Sequence, residues 1–324
     1  MGPDIETWVK VAAFTGGGLA MGLGAVGAAI GEGFTAAMAN SAISRNPKLS
    51  GDIFKNMLVG QAIAESAAIF ALVIAILLLF MQTGDSSLLK AAALFGGGIC
   101  MGLGAMGSGV GSGFPGGHAT MGICRQPTMT TRLTTNMLIG SAVSQTPAIF
   151  SMVVALMLLF LDFSNAPLSP TWAALIGAGL STGFASIGSG YGSGMAAGSS
   201  CEGVARQPDS SGSVTTIMLV GQAVSQTPAI FGLLVSFILM FKTFPESTQL
   251  HAAMAALGAG LCMGLGGIGP GLGNGVTAES AVRWASRNLK NAGELMRIML
   301  VGQAVSQSTA IYSMVIALVL IFVV

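Results

Sequence analysis

Residues 57–80 read MLVGQAIAESAAIFALVIAILLLF. At 24 residues the run is longer than the ~20 apolar residues that a bilayer-spanning helix needs. One carboxylic acid, Glu65, stands in its middle. An ionisable group at that depth is costly and marks a functional site by default.

Outward from Glu65 the chain repeats itself. GQAIAESAAIF at residues 60–70 returns as GSAVSQTPAIF (140–150), GQAVSQTPAIF (221–231) and GQAVSQSTAIY (302–312). The steps from Glu65 to Gln145, Gln226 and Gln307 are 80, 81 and 81 residues. Two further markers keep the same period. GEGF at 31–34 becomes GSGF, GSGM and GNGV. A polar link reads Arg45-Asn46-Pro47, Arg125-Gln126-Pro127, Arg206-Gln207-Pro208 and Arg287-Asn288-Leu289. Three markers at one period define four copies of one unit, at residues 1–84, 85–166, 167–247 and 248–324.

Each copy holds a Gly-rich apolar segment and a second one rich in Leu, Ile, Val and Phe, joined by the polar link. The first segments lie near 8–44, 88–124, 170–205 and 249–286, and the second near 53–82, 131–161, 213–243 and 293–323. Irregular backbone cannot face lipid, so these runs predict helices. The expected fold is an all-α membrane protein with eight transmembrane helices in four tandem hairpins. Gly18, Gly22, Gly24, Gly27, Gly31 and Gly33 let backbones approach closely, as in a crowded inner ring. Gly22 to Gly27 also match GxGxxG, but no strand precedes them and a dinucleotide site is rejected.

Composition agrees. The chain is 52% hydrophobic and 8% charged, with 48 glycines and a net charge of +1. That charge gives no footprint for nucleic acid. Cys100, Cys124, Cys201 and Cys262 have no metal-type spacing and read as small buried residues. The acidic start predicts no cleavable leader. His118 and His251 are isolated, read as interfacial, and no soluble-enzyme signature appears. Ten basic residues, Arg45, Arg125, Arg206 and Arg287 among them, lie at the links, against Lys10, Lys90 and Lys242 at the other side. This asymmetry predicts cytoplasmic links and both termini outside.

Of twelve acids, ten fall near helix ends or links, Asp85 among them. Glu32 and Glu65 alone lie deep in spans. Glu32 is 15 residues before Pro47 and Glu65 is 18 after it, so an antiparallel hairpin brings them level. Two carboxylates at one low-dielectric site cannot both stay ionised without a cation between them. The other copies carry Ser112/Gln145, Ser193/Gln226 and Asn274/Gln307, the same pair with its charge removed.

A Gly-rich helix, an Arg-Gln-Pro link and GQAxAES…IF closely resemble the c subunit (proteolipid) of rotary ATP synthases and ATPases, four times over. The resemblance implies a closed rotor ring with Gly-rich helices inside and acid-bearing helices outside. It implies links that touch the central stalk, a stator a subunit whose essential Arg loads and unloads the acid, and lipid around the ring. The chain is then a non-catalytic ion carrier of a prokaryotic cytoplasmic membrane, with Na+ or H+ as cargo and no organic cofactor. Position by position, Glu65 matches the ion-carrying acid and Glu32 the Gln or Glu of sodium-dependent members. Ser66 matches their hydroxyl ligand and Ile63 their carbonyl donor, oxygen ligands that suit a hard cation. Phe70 departs, because sodium-dependent members have Tyr there.

The resemblance also puts the site between neighbouring hairpins. Hairpin 4 of a second chain offers Val305, Ser308 and Tyr312. Hairpin 2 offers the Val143 carbonyl, freed of its helical partner by Pro147, with Thr146 beside it. The sequence leaves both neighbours open. On a ring of about three chains and twelve hairpins, about one ion moves per ATP. One charge gains roughly 2.3 kcal/mol per 100 mV, too little for synthesis at ordinary potentials, so an ATP-driven pump is expected. Two other readings use the same hairpins. A static pore needs a polar lining, which the Gly-rich faces do not supply. A scaffold sharing a ring with single-hairpin proteolipids differs in chain stoichiometry.

Overall fold

The computed structural model describes residues 4–81 and 87–323. The unit boundary expected at 84/85, Asp85 and Val324 lie outside them. The helices are α1 (Ile5–Arg45), α2 (Ser50–Phe80), α3 (Leu88–Arg125), α4 (Thr130–Ser144), α5 (Thr146–Phe160), α6 (Leu168–Arg206), α7 (Ser211–Phe241), α8 (Leu250–Ala285) and α9 (Ala292–Phe322). Segments α4 and α5 form one spanning helix, broken at Gln145.

Every hairpin turns through one 3₁₀ turn at its link. Asn46, Gln126 and Gln207 leave the helical region, with φ near −140° and ψ of 79°, 78° and 92°, and a following proline disfavours the α region at that position. Asn288 holds the same geometry (φ −140°) ahead of Leu289. The turn therefore does not depend on its proline.

The hairpins stand side by side in chain order in two layers. Helices α1, α3, α6 and α8 form the inner row and pack most heavily on one another. Each outer helix lies against its own inner helix and the next one along: α2 on α1 and α3, α4–α5 on α3 and α6, α7 on α6 and α8. Among the described residues helix α9 packs chiefly on α8, with a lesser contact to α7. The row is open at both ends.

Close approach explains the glycines of the inner row. A methyl carbon at Gly96 would fall 2.8 Å from the Leu175 carbonyl oxygen, and one at Gly107 would fall 2.5 Å from the Ile187 Cα. In lipid no hydrophobic force joins helices, so such tight backbone contact supplies the association.

Among the described residues, seven helices are long and apolar enough to cross a bilayer, and α6 is the exception. It lies between α3 and α8, so its surroundings are protein rather than lipid. Its hydroxyls bond there: Ser181 Oγ donates to the Gly232 carbonyl at 3.0 Å, and Thr182 and Ser236 hydroxyls pair at 2.7 Å. An average over composition misses a helix that needs no apolar coat. With α6 the eight membrane helices are complete.

Candidate functional site: one charged position among four

One hydrogen bond sets the register of every hairpin. Gln61 Nε2 donates to the Glu32 carbonyl at 3.3 Å, Ser141 Oγ to Ser112 at 3.1 Å, Gln222 Nε2 to Ser193 at 3.1 Å and Gln303 Nε2 to Asn274 at 3.0 Å. The donor lies four residues before the acid position on the same helix face. Positions 32 and 65 are thus level, as are 112/145, 193/226 and 274/307. As sequence, GQA is no more than a repeat marker, and this role is missed there. The signal for it is the second letter, which is a hydrogen-bonding residue in every copy.

Glu32 and Glu65 are close enough for their charges to interact. In hairpin 2, Gln145 Nε2 lies 2.8 Å from Ser112 Oγ. In hairpin 4, Asn274 Nδ2 donates to Gln307 Oε1 at 2.8 Å. Hairpin 3 differs, because the Ser193 hydroxyl is buried without a partner among the described residues.

A second set of bonds crosses from one hairpin to the next, always in the same sense. Gln145 Nε2 donates to the Ile63 carbonyl at 2.9 Å, Gln226 Nε2 to Val143 at 2.6 Å and Asn274 Nδ2 to Val224 at 3.4 Å. The preceding hairpin thus offers a carbonyl to the Glu65-type position in hairpins 2 and 3 and to the Glu32-type position, Asn274, in hairpin 4. Two of those carbonyls, Val143 and Val224, are the ones that Pro147 and Pro228 free from the helical ladder. The Val143 carbonyl is therefore engaged by hairpin 3. The Ile63 carbonyl faces hairpin 2, and Ser66 Oγ also donates to it, at 2.6 Å.

The amide nitrogen of Gln145 sits between two oxygens, the Ile63 carbonyl and the Ser112 hydroxyl. That is where a cation held by the same oxygens would sit. A neutral donor so placed satisfies the buried acceptors without any charge to neutralise.

Burial follows the same sense. Gln145, Gln226 and Gln307 are 6%, 8% and 9% exposed, each covered by the hairpin before it. Among the described residues no hairpin lies on that side of Glu65, and it is exposed. At the other end Val305 is 69% and Tyr312 65% exposed, while Phe70, Phe150 and Phe231 are half-buried against a following hairpin. Ser308 Oγ donates to the Val305 carbonyl at 2.7 Å, repeating the Ser66–Ile63 arrangement. The exposed Glu65 thus stands at one end of the described row, and the exposed Val305 and Tyr312 at the other.

Arg45, Arg125, Arg206 and Arg287 are exposed at one end of the row. Glu202 bridges Arg125 at 3.5 Å and Arg206 at 2.5 Å, tying hairpins 2 and 3 together there. His118 packs its ring 5.8 Å from that of Phe34, inside the inner row rather than alone at an interface. The four cysteines are free thiols.

The ATP synthase C-subunit family matches the chain four times, at residues 15–78, 95–158, 176–239 and 257–320. The chain is 30% identical to the K subunit of the A-type ATP synthase of Methanocaldococcus jannaschii over 225 residues, 69% of this chain and 94% of the relative. It is 58% identical over 64 residues to the ATP synthase c subunit of Dehalococcoides mccartyi, 20% of this chain and 84% of the relative. With the ATP synthase c subunit of Alkaliphilus oremlandii it shares 46% over 74 residues, 23% of this chain and 83% of the relative.

Proposed function

The chain belongs to the ATP synthase C-subunit family, and from that premise we propose that it is an ion-carrying rotor subunit with one working site per four hairpins. Glu65 carries the ion, with Glu32 beside it. Copies of the chain close head to tail, so that Val305, Ser308 and Tyr312 of one copy complete the site at Glu65 of the next. The exposed Arg links meet the central stalk, and a stator a subunit with an essential Arg exchanges the ion. About three chains per ring would move about one ion per ATP, which at roughly 2.3 kcal/mol per charge per 100 mV suits a pump rather than a synthase.

The observation that carries this reading is the direction of the inter-hairpin bonds. Gln145 and Gln226, at the Glu65-type position, each reach a carbonyl of the hairpin before them, and in hairpin 4 Asn274 reaches the corresponding one. The same step brings the Val305 carbonyl of a second copy to Glu65. Tyr312, alone among the four aromatic positions in having a hydroxyl, then stands where Phe150 and Phe231 stand against their followers. Carboxylate, carbonyl and hydroxyl oxygens form a donor set for a hard cation, and Na+ is the reading it favours over H+.

Carbodiimide labelling of Glu65 in purified rings tests the ion. Sodium is expected to slow labelling at constant pH. No protection at any pH would assign the site to protons. The neighbour is tested by Ser308→Ala and Tyr312→Phe, which remove groups three hairpins away in sequence. Each is expected to raise the sodium concentration needed for protection about tenfold, the worth of one hydrogen bond to a charged partner. An effect of Ser66→Ala with none from Ser308→Ala would place the donors within the hairpin of Glu65 instead.

A further inference from the structure

The joints between neighbouring inner helices are built alike, and the chain ends in the two halves of a fourth. Helix α3 meets α1 through Gly98, Gly102, Gly109 and Gly113, and meets α6 through Gly96, Gly107 and Gly111. The same positions recur at the α6–α8 joint, where Gly188 and Gly192 meet Gly271 and Gly275. Their counterparts at the open ends are Gly269 and Gly273 on α8 and Gly18, Gly22 and Gly33 on α1. Among the described residues, a methyl carbon at Gly18, Gly22, Gly33 or Gly269 would meet nothing beyond its own stretch of helix within 4 Å, and one at Gly273 would meet only Ser306 of its own hairpin. Two complementary half-joints, continuous with three made ones, fit a second copy of this chain.

One position breaks the pattern. A methyl carbon at Gly109 would fall 2.7 Å from the Gly27 carbonyl carbon and the Ala28 nitrogen. At Gly190 it would fall 2.7 Å from Gly107 and Ser108, and at Gly271 2.5 Å from Gly188 and 2.6 Å from Ser189. The fourth member of this series is Ala29, which has that methyl. Its counterparts across the joint are Gly269 and Pro270 of the second copy, and a proline nitrogen carries a ring carbon in place of hydrogen. Non-bonded carbons settle at about 3.5–4.0 Å. A joint as tight as the other three cannot form there, and the helices must stand apart by about 1 Å more. Ala29 lies one turn before Glu32 on the same helix face.

We propose that the joint between copies is held wider at Ala29 than the three joints within the chain, and that Ala29 is a positioning residue for the charged site that this joint contains. Three narrow joints and one wide one then alternate around the ring. The neutral pairs lie in narrow joints closed by hydrogen bonds from side-chain amides. The carboxylate pair lies in the wide one, with room for an ion between oxygens. The inference rests on the ring reading above.

Electron cryo-microscopy of the purified ring tests it. The Cα separation from Ala29 to Gly269 of the preceding copy is expected to exceed those from Gly109 to Gly27, Gly190 to Gly107 and Gly271 to Gly188. Ala29→Gly should close the difference, raise the temperature at which rings fall into single chains, and slow carbodiimide labelling of Glu65. Ala29→Ser, close to alanine in size, should keep the parent labelling rate. Four equal joints in a ring of copies, or an Ala29→Gly ring with unchanged labelling, would overturn the proposal and leave the ring reading standing. A different proteolipid seated in the fourth joint would overturn the choice of partner. Chains that stay single in the membrane would sink the ring reading and this inference with it.

Discussion

Glu65→Gln is expected to abolish ion transport completely while the ring still assembles. Gln already occupies this position in the other three hairpins, where it is buried, and in hairpins 2 and 3 it donates to a carbonyl of the preceding hairpin. The substitution turns the charged copy into a fourth neutral one. Carboxylate and amide are nearly the same size, and the Val305 carbonyl of the preceding chain would gain the partner that Val143 has in Gln226. The effect on ring stability should therefore stay within about 1 kcal/mol. Transport requires a group that gains and loses charge, and an amide does neither. ATP-driven ion uptake into vesicles, measured beside ring recovery on detergent gels, separates the two effects. Uptake surviving in the variant would move the carrier role to another group, with Glu32 the nearest.

The second large effect concerns the inner row, where two glycine substitutions should fail at different stages. Gly190→Val puts branched carbon where the Gly107 carbonyl carbon and the Ser108 nitrogen would lie 2.7 Å from the first added atom. Backbone cannot yield as a side chain can. Overpacking of this kind costs about 1–3 kcal/mol or more, and helix association in lipid has no hydrophobic term to absorb it. The variant chain should be lost to proteolysis before assembly. Gly33→Val adds the same bulk at the open face of α1, with nothing from the chain within 4 Å. That chain should fold normally and fail to form rings. Protease resistance of the single chain, set against ring yield, reads the difference. Normal ring yield from Gly33→Val would mean that this face of α1 meets no second copy.

Much of this architecture is legible in the sequence because its markers are local. The 80- and 81-residue steps, the Arg links and the apolar runs define hairpins without any knowledge of how hairpins pack. Glu65 stands out because a charge in an apolar run is expensive wherever the helix ends up. The level pairing with Glu32 follows from counting residues to the turn. The side on which each hairpin meets its follower is not legible. Helical periodicity gives faces, but the hand of packing is decided by which glycine face nests against which, and both faces of α3 are glycine-rich. On sequence alone only Tyr312 tips the choice toward Val305 over Val143, and the direction of the Gln145 and Gln226 bonds adds the structural argument. The break at Gln145 is also hidden, since Pro228 stands at the same position of α7 without interrupting it. Helix α6 escapes an apolarity criterion because its neighbours, not lipid, surround its serines.

The most direct test of the account is the intact mass of the chain after carbodiimide treatment of purified rings. One adduct per chain, on Glu65, is predicted, with none on any residue of hairpins 2, 3 and 4. A second adduct per chain, or a single adduct on a group other than Glu65, would contradict the claim that four hairpins share one working ion site.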